Sequence, residues 1–429
     1  MKFTVMNLGC KVNSFEAESI ANALEKRGYQ RVERNEPADI TLIFTCAVTN
    51  MAAQKSRKML HQARRLNPNG IIAAVGCYVQ IDAEHMPEAD LLVGTEHKLE
   101  IPDMIDQYMQ NHKNIIRTEM SEVPSFEPMT LDHFESRTRA SLRIQDGCNQ
   151  FCSYCIIPYA RGRERSMTPE MAIDEAVRLS QNNHEIVLAG IHTGRYGKEY
   201  GITLAEIMKR MLAAADQLQR LRISSIELNE IDDGLIELMQ NDRRVARHLH
   251  IPLQSGCSSV LKRMGRPYDT ETYYDRIETI RKTLPGISIS TDLITGFPGE
   301  TEEEFQETYD FLKKCRFSFL HVFPYSEREG TAAAARTDQI DPQIRKERAR
   351  KCIDLSSQLY AFYMDTFLNK NVEVMCETAE SGKTFGHSSE YLPVYIKGEC
   401  RHGEMADARI LERNGLELIA ERVNADETE

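Results

Sequence analysis

The sequence of 429 residues lacks any apolar run that approaches the length of about 18 residues needed to span a membrane. The apolar run near its N-terminus is too short for a secretory signal, so we expect a cytoplasmic protein without a membrane partner. It also lacks a basic excess, because 65 acidic residues outnumber 53 basic ones and give a net charge of −12. This balance disfavours a generic nucleic-acid binder, and RNA affinity would depend on local basic patches.

Hydrophobic residues make up 41% of the chain and charged residues 28%, which is typical of globular rather than disordered proteins. At about 100–200 residues per domain, the length predicts two to four domains. The 11 cysteines are a high and odd number for a cytosolic chain. A reducing compartment disfavours a disulfide framework, so this cysteine content indicates metal binding or redox chemistry.

Residues 1–112 alternate short apolar runs with amphipathic helical patterns, which predicts an open parallel α/β sheet. Its first helix is predicted to begin at an Asn13 N-cap, with Glu16 completing a capping box. Residues 113–136 lose this periodicity and contain Pro124 and Pro128, so we interpret them as a linker. The strands of this sheet are predicted at residues 3–8, 40–45, 71–75 and 91–93.

Six further strand–helix units and a trailing helix occupy residues 137–364 and predict a partial (β/α) barrel. Residues 365–429 break into short strand-like runs separated by turns, which predicts a small all-β barrel. The predicted fold class is therefore α/β with a C-terminal all-β module. The strands are predicted at residues 141–145, 185–189, 221–227, 248–253, 287–294 and 317–323 in the partial barrel, and at 372–376, 394–396, 408–411 and 416–420 in the small barrel.

Cys148, Cys152 and Cys155 form a CxxxCxxC motif directly after the first strand of the predicted partial barrel. Three thiolates at this spacing can bind one [4Fe–4S] cluster and leave one iron without a protein ligand. An open metal position is where a substrate or cofactor binds. The alternatives are a zinc site or three unrelated thiols, although a zinc site usually has two CxxC halves and no second CxxC is present.

Cys10, Cys46 and Cys77 each follow a predicted strand of the N-terminal sheet. The carboxyl ends of parallel strands meet at one edge, so we expect these thiols to lie close together and to bind a second cluster. The alternative is that each is a small buried hydrophobic residue. The other five cysteines share no spacing and are interpreted as structural thiols: Cys257, Cys315, Cys352, Cys376 and Cys400.

The CxxxCxxC motif, with Tyr154 before its third cysteine, resembles the cluster-binding signature of the radical S-adenosylmethionine (SAM) superfamily. Along its whole length the chain resembles the methylthiotransferases, which join a three-cysteine N-terminal domain, a radical SAM partial barrel and a C-terminal TRAM domain. The matching segments are Leu8-Gly9-Cys10-Lys11-Val12-Asn13, Gly147-Cys148 through Arg161-Gly162-Arg163, His250-Ile251-Pro252-Leu253-Gln254-Ser255-Gly256, Asp292-Leu293-Ile294-Thr295-Gly296-Phe297-Pro298-Gly299-Glu300-Thr301 and His321-Val322-Phe323-Pro324-Tyr325-Ser326.

This family divides by substrate into three branches, which act on N6-isopentenyladenosine 37 of tRNA, on N6-threonylcarbamoyladenosine (t6A) 37 of tRNA, or on an aspartate of a ribosomal protein. After the first cysteine the isopentenyl branch tends to read Gln-Met-Asn and the ribosomal branch Pro-Lys-Asn. Lys11-Val12-Asn13 and residues 156–162 resemble the threonylcarbamoyl branch instead. A function of a different class is an RNA-binding protein whose clusters only sense iron or redox state.

The resemblance implies two [4Fe–4S] clusters and two SAM molecules. The cluster at Cys148, Cys152 and Cys155 would cleave SAM to the radical that takes the hydrogen from C2 of the adenine. The cluster at Cys10, Cys46 and Cys77 would carry the sulfur that is methylated and transferred. It also implies tRNA carrying t6A37, a flavodoxin- or ferredoxin-like reductant and a sulfur donor as partners.

Four residues near the predicted cluster loop are candidates for binding SAM: Tyr154, Gly190, Glu227 and Gln254. Gly190 would let the backbone approach the cofactor, or would be a plain turn glycine. Glu227 and Gln254 end barrel strands, where a solvated rim is the alternative.

Five basic residues are candidates for binding RNA: Lys55, Arg57, Lys58, Arg161 and Arg163. The alternative for each is a solvated helix face. Residues 365–429 carry seven Lys and Arg against fourteen Asp and Glu, which departs from the basic surface expected of an RNA-binding module.

Overall fold

The computed structural model of the chain describes residues 1–121, 125–131 and 138–423. Pro124, the predicted boundary between residues 136 and 137, and the last six residues of the predicted small barrel lie outside the described residues. No described helix has the length and apolar character needed to cross a membrane.

The N-terminal region is a parallel sheet with helices on it, as predicted. Its strands and helices are β1 (Lys2–Asn7), α1 (Lys11–Lys26), β2 (Gln30–Arg31), β3 (Ile40–Thr45), α2 (Asn50–Leu66), β4 (Ile71–Gly76), α3 (Cys77–Asp82), β5 (Leu91–Val93), α4 (Ile101–Asn111) and β6 (Ile115–Arg117). The strands are ordered β2-β1-β3-β4-β5-β6, and every pair is parallel. Strand β6 lies in the stretch interpreted as a linker, so the sheet extends past residue 112.

The second region contains the six parallel strands of a partial barrel. Its elements are β7 (Arg139–Arg143), β8 (Gln145–Asp146), α5 (Ile157–Arg161), β9 (Arg165–Ser166), α6 (Pro169–Ser180), β10 (Glu185–Ala189), α7 (Leu204–Ala214), β11 (Arg220–Ile223), α8 (Asp233–Asn241), β12 (His248–His250), α9 (Ser258–Met264), α10 (Thr270–Thr283), β13 (Ser288–Thr295), α11 (Glu302–Cys315), β14 (Phe319–Pro324) and α12 (Pro342–Asp365). The strands β7-β10-β11 form one parallel sheet and β12-β13-β14 another. A bridge between Leu221 and Val245 connects the two sheets.

The C-terminal region is a closed barrel in the order β15-β16-β17-β19-β18, formed by β15 (Asn371–Glu380), β16 (Lys383–Ser388), β17 (Pro393–Lys397), β18 (Met405–Asn414) and β19 (Glu417–Arg422). Strand β16 was not predicted, because its sequence is mostly polar and contains Gly386. A Cβ at Gly386 would lie 2.1 Å from the carbonyl oxygen of Met375. The glycine therefore marks a close approach of two backbones, not a turn.

Helix α1 packs between the N-terminal sheet and the partial barrel. Its apolar residues, including Phe15 and Ile20, belong to the same hydrophobic core as Leu142 and Leu188 of the barrel. The predicted capping box is wrong, because the N-cap is Cys10 and its side chain makes no capping hydrogen bond. Asn13 and Glu16 are instead buried inside the first turns of the helix.

Candidate functional site

The CxxxCxxC motif lies in the loop between β8 and α5, at the carboxyl end of the first barrel strand. The loop begins at Gly147, where φ is +71° and a Cβ would lie 1.9 Å from the carbonyl oxygen of Arg163. Further along, the Ser153 amide donates to the carbonyl of Met264 at 2.9 Å, and the Ser153 carbonyl accepts from Ala333 at 2.7 Å. These hydrogen bonds fix the loop against α9 and against the segment after β14.

The three sulfurs of this loop lie among buried and cationic groups. Cys148 Sγ is 3.4 Å from His192 Nδ1, and Arg266 Nη1 donates to Cys152 Sγ at 3.5 Å. Burial raises the pKa of Cys155 to about 12 and also raises the pKa of Cys152. Cys152 and Cys155 are therefore protonated at neutral pH unless a metal displaces the proton.

Cys10, Cys46 and Cys77 follow β1, β3 and β4, which are adjacent strands of the N-terminal sheet. Burial is the main reason that the pKa of Cys77 rises to about 11 and that of Cys46 also rises. In both cases Cys10 raises the pKa further by charge repulsion, so the two thiols lie within electrostatic reach of Cys10. The structure thus places the three predicted residues at one edge of the sheet.

Arg161 connects the two groups of cysteines. Its guanidinium donates to Cys77 Sγ at 3.1 Å and Asn13 Oδ1 at 2.9 Å, both in the N-terminal region. It also donates to Glu16 at 2.9 Å and to Asp146 of the barrel at 3.1 Å. Arg161 is fully buried, so its prediction as an RNA contact is wrong: the same side chain cannot reach a phosphate in solvent.

The buried carboxylates around Arg161 are compensated by several cations. Burial alone would raise the pKa of Glu16, but Arg161, Lys98 and Arg143 outweigh it and hold the pKa to about 2. The same guanidinium groups and Arg165 hold the pKa of Asp146 well below its usual range. Glu16 and Asp146 are therefore ionised, and each depends on Arg161 for part of its compensation.

Two cavities open beside the cysteines. The first, which we call the loop cavity, has a volume of about 240 Å³ and is lined by Tyr154, Cys155, Gln254 and Asp292 among others. The second, the rim cavity, has about 430 Å³ and is lined by Cys10, Gly190, Glu227 and again Asp292. All four predicted SAM-binding residues thus line one or the other of two cavities that share Asp292 as a lining residue.

Gln254 and Glu227 are held in defined positions. Gln254 has φ of +75°, and its backbone pairs with Asp292 and Ile294 at 2.9 Å. Glu227 forms an ion pair with Arg266, which also donates to the phenolic oxygen of Tyr268 and to Cys152. Sequence reasoning missed Arg266, because a lone arginine after Gly265 has no spacing that relates it to the motif.

Gly190 lies in the rim cavity with little room for a side chain. A Cβ there would lie 3.0 Å from both Gln145 Oε1 and Thr193 Oγ1. Gln145 Oε1 also accepts a hydrogen bond from the His192 amide at 2.7 Å. The absence of a side chain at Gly190 therefore keeps the backbone accessible beside an ordered hydrogen-bond network.

The donor sets fit iron–sulfur clusters. All eleven cysteines are free thiols, so none of the six is used in a disulfide. Within the described ranges no three His, Cys, Asp or Glu side chains converge on one point, as a single metal ion requires. In a cluster each thiolate binds a different iron, so the sulfurs need not converge. Arg266 and Arg161 each donate to one of these sulfurs and would offset thiolate charge.

The remaining predicted RNA contacts lie on the surface. Lys55, Lys58 and Arg163 are exposed, whereas Arg57 is half-buried and bonds the phenolic oxygen of Tyr78. The Arg163 guanidinium is 5.6 Å from the ring centre of Phe151. Phe151 and Tyr159, which were not predicted as site residues, are two half-exposed rings 5.5 Å apart beside the cluster loop. Exposed rings beside a cation can stack on unpaired bases.

Two family models match parts of this chain, and several known proteins are similar to it along most of its length. The model of the radical SAM superfamily matches residues 142–312, and that of the uncharacterized protein family UPF0004 matches residues 2–94. A Bacillus subtilis (strain 168) protein named "Threonylcarbamoyladenosine tRNA methylthiotransferase MtaB" is 42% identical over 94% of this chain and 92% of its own. A Clostridium botulinum (strain Okra / Type B1) protein named "tRNA-2-methylthio-N(6)-dimethylallyladenosine synthase" is 32% identical over 98% of this chain and 97% of its own.

The solved structures include a similar fold at low sequence identity. The apo form of OxsB, described as a cobalamin-dependent S-adenosylmethionine radical enzyme, has a TM-score of 0.50 and 13% identity. The match covers 82% of this chain and 56% of the OxsB chain. At this identity the similarity concerns the fold alone.

Proposed function

The chain belongs to the radical SAM methylthiotransferase family, and on this premise we propose that it inserts a methylthio group at C2 of N6-threonylcarbamoyladenosine 37 of tRNA. The substrate is supported by the higher identity to the threonylcarbamoyladenosine relative, 42%, than to the dimethylallyladenosine relative, 32%. The Lys11-Val12-Asn13 segment after the first cysteine supports the same branch.

Enzymes of this superfamily use SAM and an iron–sulfur cluster, and we propose two [4Fe–4S] clusters here. Cys148, Cys152 and Cys155 would hold one, and Cys10, Cys46 and Cys77 the other. When bound, the cluster at Cys148, Cys152 and Cys155 would supply the electron for SAM cleavage. The cluster at Cys10, Cys46 and Cys77 would supply the sulfur that is transferred. The protein's contribution is to ligate these groups, to orient SAM and the base, and to exclude water.

The observation that carries the proposal is that the loop cavity and the rim cavity share Asp292 as a lining residue. Cys155 lines the first cavity and Cys10 the second, so the two cysteine groups border neighbouring cavities on either side of Asp292. A base bound there would be within reach of both groups, and proximity of this kind is what a transfer between two cofactors requires.

The predicted SAM-binding residues would orient SAM from two sides of this space. Tyr154 and Gln254 line the loop cavity, and the fixed backbone of Gln254 presents its side chain there. Gly190 and Glu227 line the rim cavity. Arg266 would act on them indirectly, since it holds Glu227 in an ion pair and donates to Cys152.

Binding of tRNA would use the surface beside the cluster loop. Arg163, Phe151 and Tyr159 combine a cation with two exposed rings, a combination that suits phosphates and an extruded base. Lys55 and Lys58 would extend this basic surface along α2. A flavodoxin- or ferredoxin-like protein would supply electrons, and a separate donor would replenish the sulfur.

The test is mass spectrometry of nucleosides from tRNA of cells with the gene, without it, and with Cys148, Cys152 and Cys155 changed to Ala. We expect 2-methylthio-threonylcarbamoyladenosine to disappear in the second and third strains while its precursor accumulates. Complementation with the Lys209→Gln variant, an exposed position on α7, is the matched control and should restore the nucleoside.

The other branches are distinct outcomes of this experiment. Loss of the methylthio-isopentenyl nucleoside instead would assign the chain to the sister tRNA branch. If neither nucleoside changes, the ribosomal-protein substrate is examined next. An iron or redox sensor would give no change in either substrate and no SAM cleavage on reduction.

A further inference from the structure

A third cavity lies deeper in the partial barrel and has no role in the function proposed above. This inner cavity has a volume of about 420 Å³ and is lined by strands β11 to β14, by α12 and by the C-terminal barrel. Its lining residues include Arg222, His248, His250, Ser290 and Tyr391. It is therefore lined by polar, aromatic and apolar side chains, the last including Ile223, Phe319 and Phe323, and residues from all three regions of the chain contribute to it.

Lys11 connects the inner cavity with the rim cavity. It lines both, and it follows Cys10 directly in the sequence. His250 and Asp292 also line both cavities. Lys11 can therefore contact a ligand in either cavity.

Lys11 has no carboxylate partner. Within the described ranges it makes no hydrogen bond or ion pair, and its nearest strong charges include Arg222 and Arg139, which repel it. The carboxylate that attracts it, Glu185, already pairs with Arg222 at 2.7 Å and with Arg220 at 3.3 Å. Asp292, the carboxylate that lines the same two cavities, lies 3.3 Å from His250 Nε2. The Lys11 ammonium is therefore available to pair with an anionic ligand.

Hydrogen-bonding groups lie in the inner cavity beside its aromatic and apolar side chains. Ser290 Oγ lies 3.0 Å from His248 Nε2 and 3.0 Å from His250 Nδ1. The other ring nitrogen of His248, Nδ1, is buried and has no partner in the described part of the chain. An apolar substituent would leave these groups unpaired, whereas one that carries donors and acceptors would satisfy some of them.

We propose that the inner cavity binds the threonylcarbamoyl substituent of the adenosine and that Lys11 pairs with its carboxylate, which makes Lys11 a specificity-determining residue. This inference rests on the proposed function and names the contact that selects the substrate. The substituent has one carboxylate, a ureido group and a hydroxyl, whereas an isopentenyl group has none of these.

The position of the cavity agrees with the geometry of the base. C2 and the N6 substituent of adenine belong to the same Watson–Crick edge, separated by N1. A base with C2 toward the Cys10 side of the rim cavity therefore directs its N6 substituent past Lys11.

The test measures binding of anticodon stem-loop RNA with either t6A37 or its threoninamide analogue, in which the carboxylate is an uncharged amide. The variants are Lys11→Gln, Lys11→Arg and the surface control Lys209→Gln. For the wild type we expect the amide RNA to bind about 10- to 100-fold more weakly, the loss expected for a charge-assisted hydrogen bond. Lys11→Gln should bind both RNAs with the same weak affinity, and Lys11→Arg should retain most of the preference.

Because Lys11 adjoins Cys10, the iron content of each variant is measured beside its RNA affinities, and the comparison of the two RNAs within one variant separates a lost carboxylate contact from a general loss of binding. If the wild type modifies t6A RNA but Lys11→Gln keeps the full preference over the amide, the inference is wrong and the proposed function stands. If the wild type modifies only isopentenyladenosine RNA, the proposed function fails and this inference fails with it.

Discussion

The two cysteine groups achieve a similar arrangement by opposite routes. Cys148, Cys152 and Cys155 lie on one loop, whose backbone is fixed by hydrogen bonds within the partial barrel. Cys10, Cys46 and Cys77 lie on three segments, and Cys77 receives its hydrogen bond from Arg161, which the barrel supplies. The first three cysteines, which we call the loop group, thus depend on local geometry. The other three, Cys10, Cys46 and Cys77, which we call the sheet group, depend on how two regions of the chain pack together.

The largest expected effect comes from removing each group in turn. Changing Cys148, Cys152 and Cys155 to Ala should remove about four iron atoms per chain and abolish SAM cleavage. Changing Cys10, Cys46 and Cys77 to Ala should remove a similar number but leave reductive SAM cleavage measurable. Both variants should lose methylthio transfer, as measured by iron analysis, 5′-deoxyadenosine release and nucleoside mass spectrometry.

A third triple variant, Cys257, Cys315 and Cys352 to Ala, is the matched control, because these are free buried thiols outside both groups. It should keep the iron content of the wild type even if its stability falls. An unchanged iron content after the loss of Cys10, Cys46 and Cys77 would contradict the second cluster.

Arg161 tests the difference between the two groups directly. Arg161→Gln leaves Glu16 and Asp146 with less compensation in a buried site, so we expect a loss of about 3–5 kcal/mol in the free energy of unfolding. Arg163→Gln changes the same residue type two positions away on the surface and should cost less than about 0.5 kcal/mol. Urea denaturation of both variants, with the wild type alongside, measures the difference.

Arg161→Gln and Arg163→Gln also show whether iron binding at the two cysteine groups depends on Arg161 to different degrees. Arg161→Gln should weaken iron retention at the sheet group, while the loop group keeps its own contacts from Arg266 and His192. To measure the iron at each site alone, Arg161→Gln is introduced into each of the two triple cysteine variants. An equal loss of iron in both would contradict the distinction between a local site and a site that depends on packing.

Much of the fold could be predicted, because its pattern is local. The strands predicted at residues 40–45 and 185–189 agree with β3 and β10, which are fully buried and mostly apolar. The approach of Cys10, Cys46 and Cys77 was also predictable, since parallel strands end at one edge. Strand β16 was missed, because its apolar content is low and its glycine suggested a break.

The residues whose roles could not be predicted form hydrogen bonds and ion pairs with residues that are far away in the sequence. Asn13 and Glu16 have the spacing of a helix cap, but their partner is Arg161, 148 and 145 residues away. Arg161 in turn looks like a surface cation in a basic run, and only the packing of α1 on the barrel buries it. Sequence patterns describe neighbours along the chain, so they cannot identify an ion pair between residues that are far apart in the sequence.

Substitution of Gly190, in the partial barrel, has the smallest expected effect and tests SAM binding most selectively. In Gly190→Ala the new Cβ would lie 3.0 Å from Gln145 Oε1 and Thr193 Oγ1, so both neighbours must move by a few tenths of an ångström. We expect a three- to tenfold rise in KM for SAM, about 1 kcal/mol, with little change in kcat. Steady-state SAM cleavage in the presence of excess reductant measures both constants.

Gly234→Ala is the matched control, because a Cβ there meets only ordinary contacts, the nearest at 3.4 Å from Asp232 Oδ1. It should leave KM for SAM unchanged. If Gly190→Ala lowers the free energy of unfolding and does not alter KM, Gly190 is a turn glycine, and the rim cavity does not bring the backbone against the cofactor. A rise in KM for SAM with unchanged iron content would instead show that the added methyl group interferes with SAM binding.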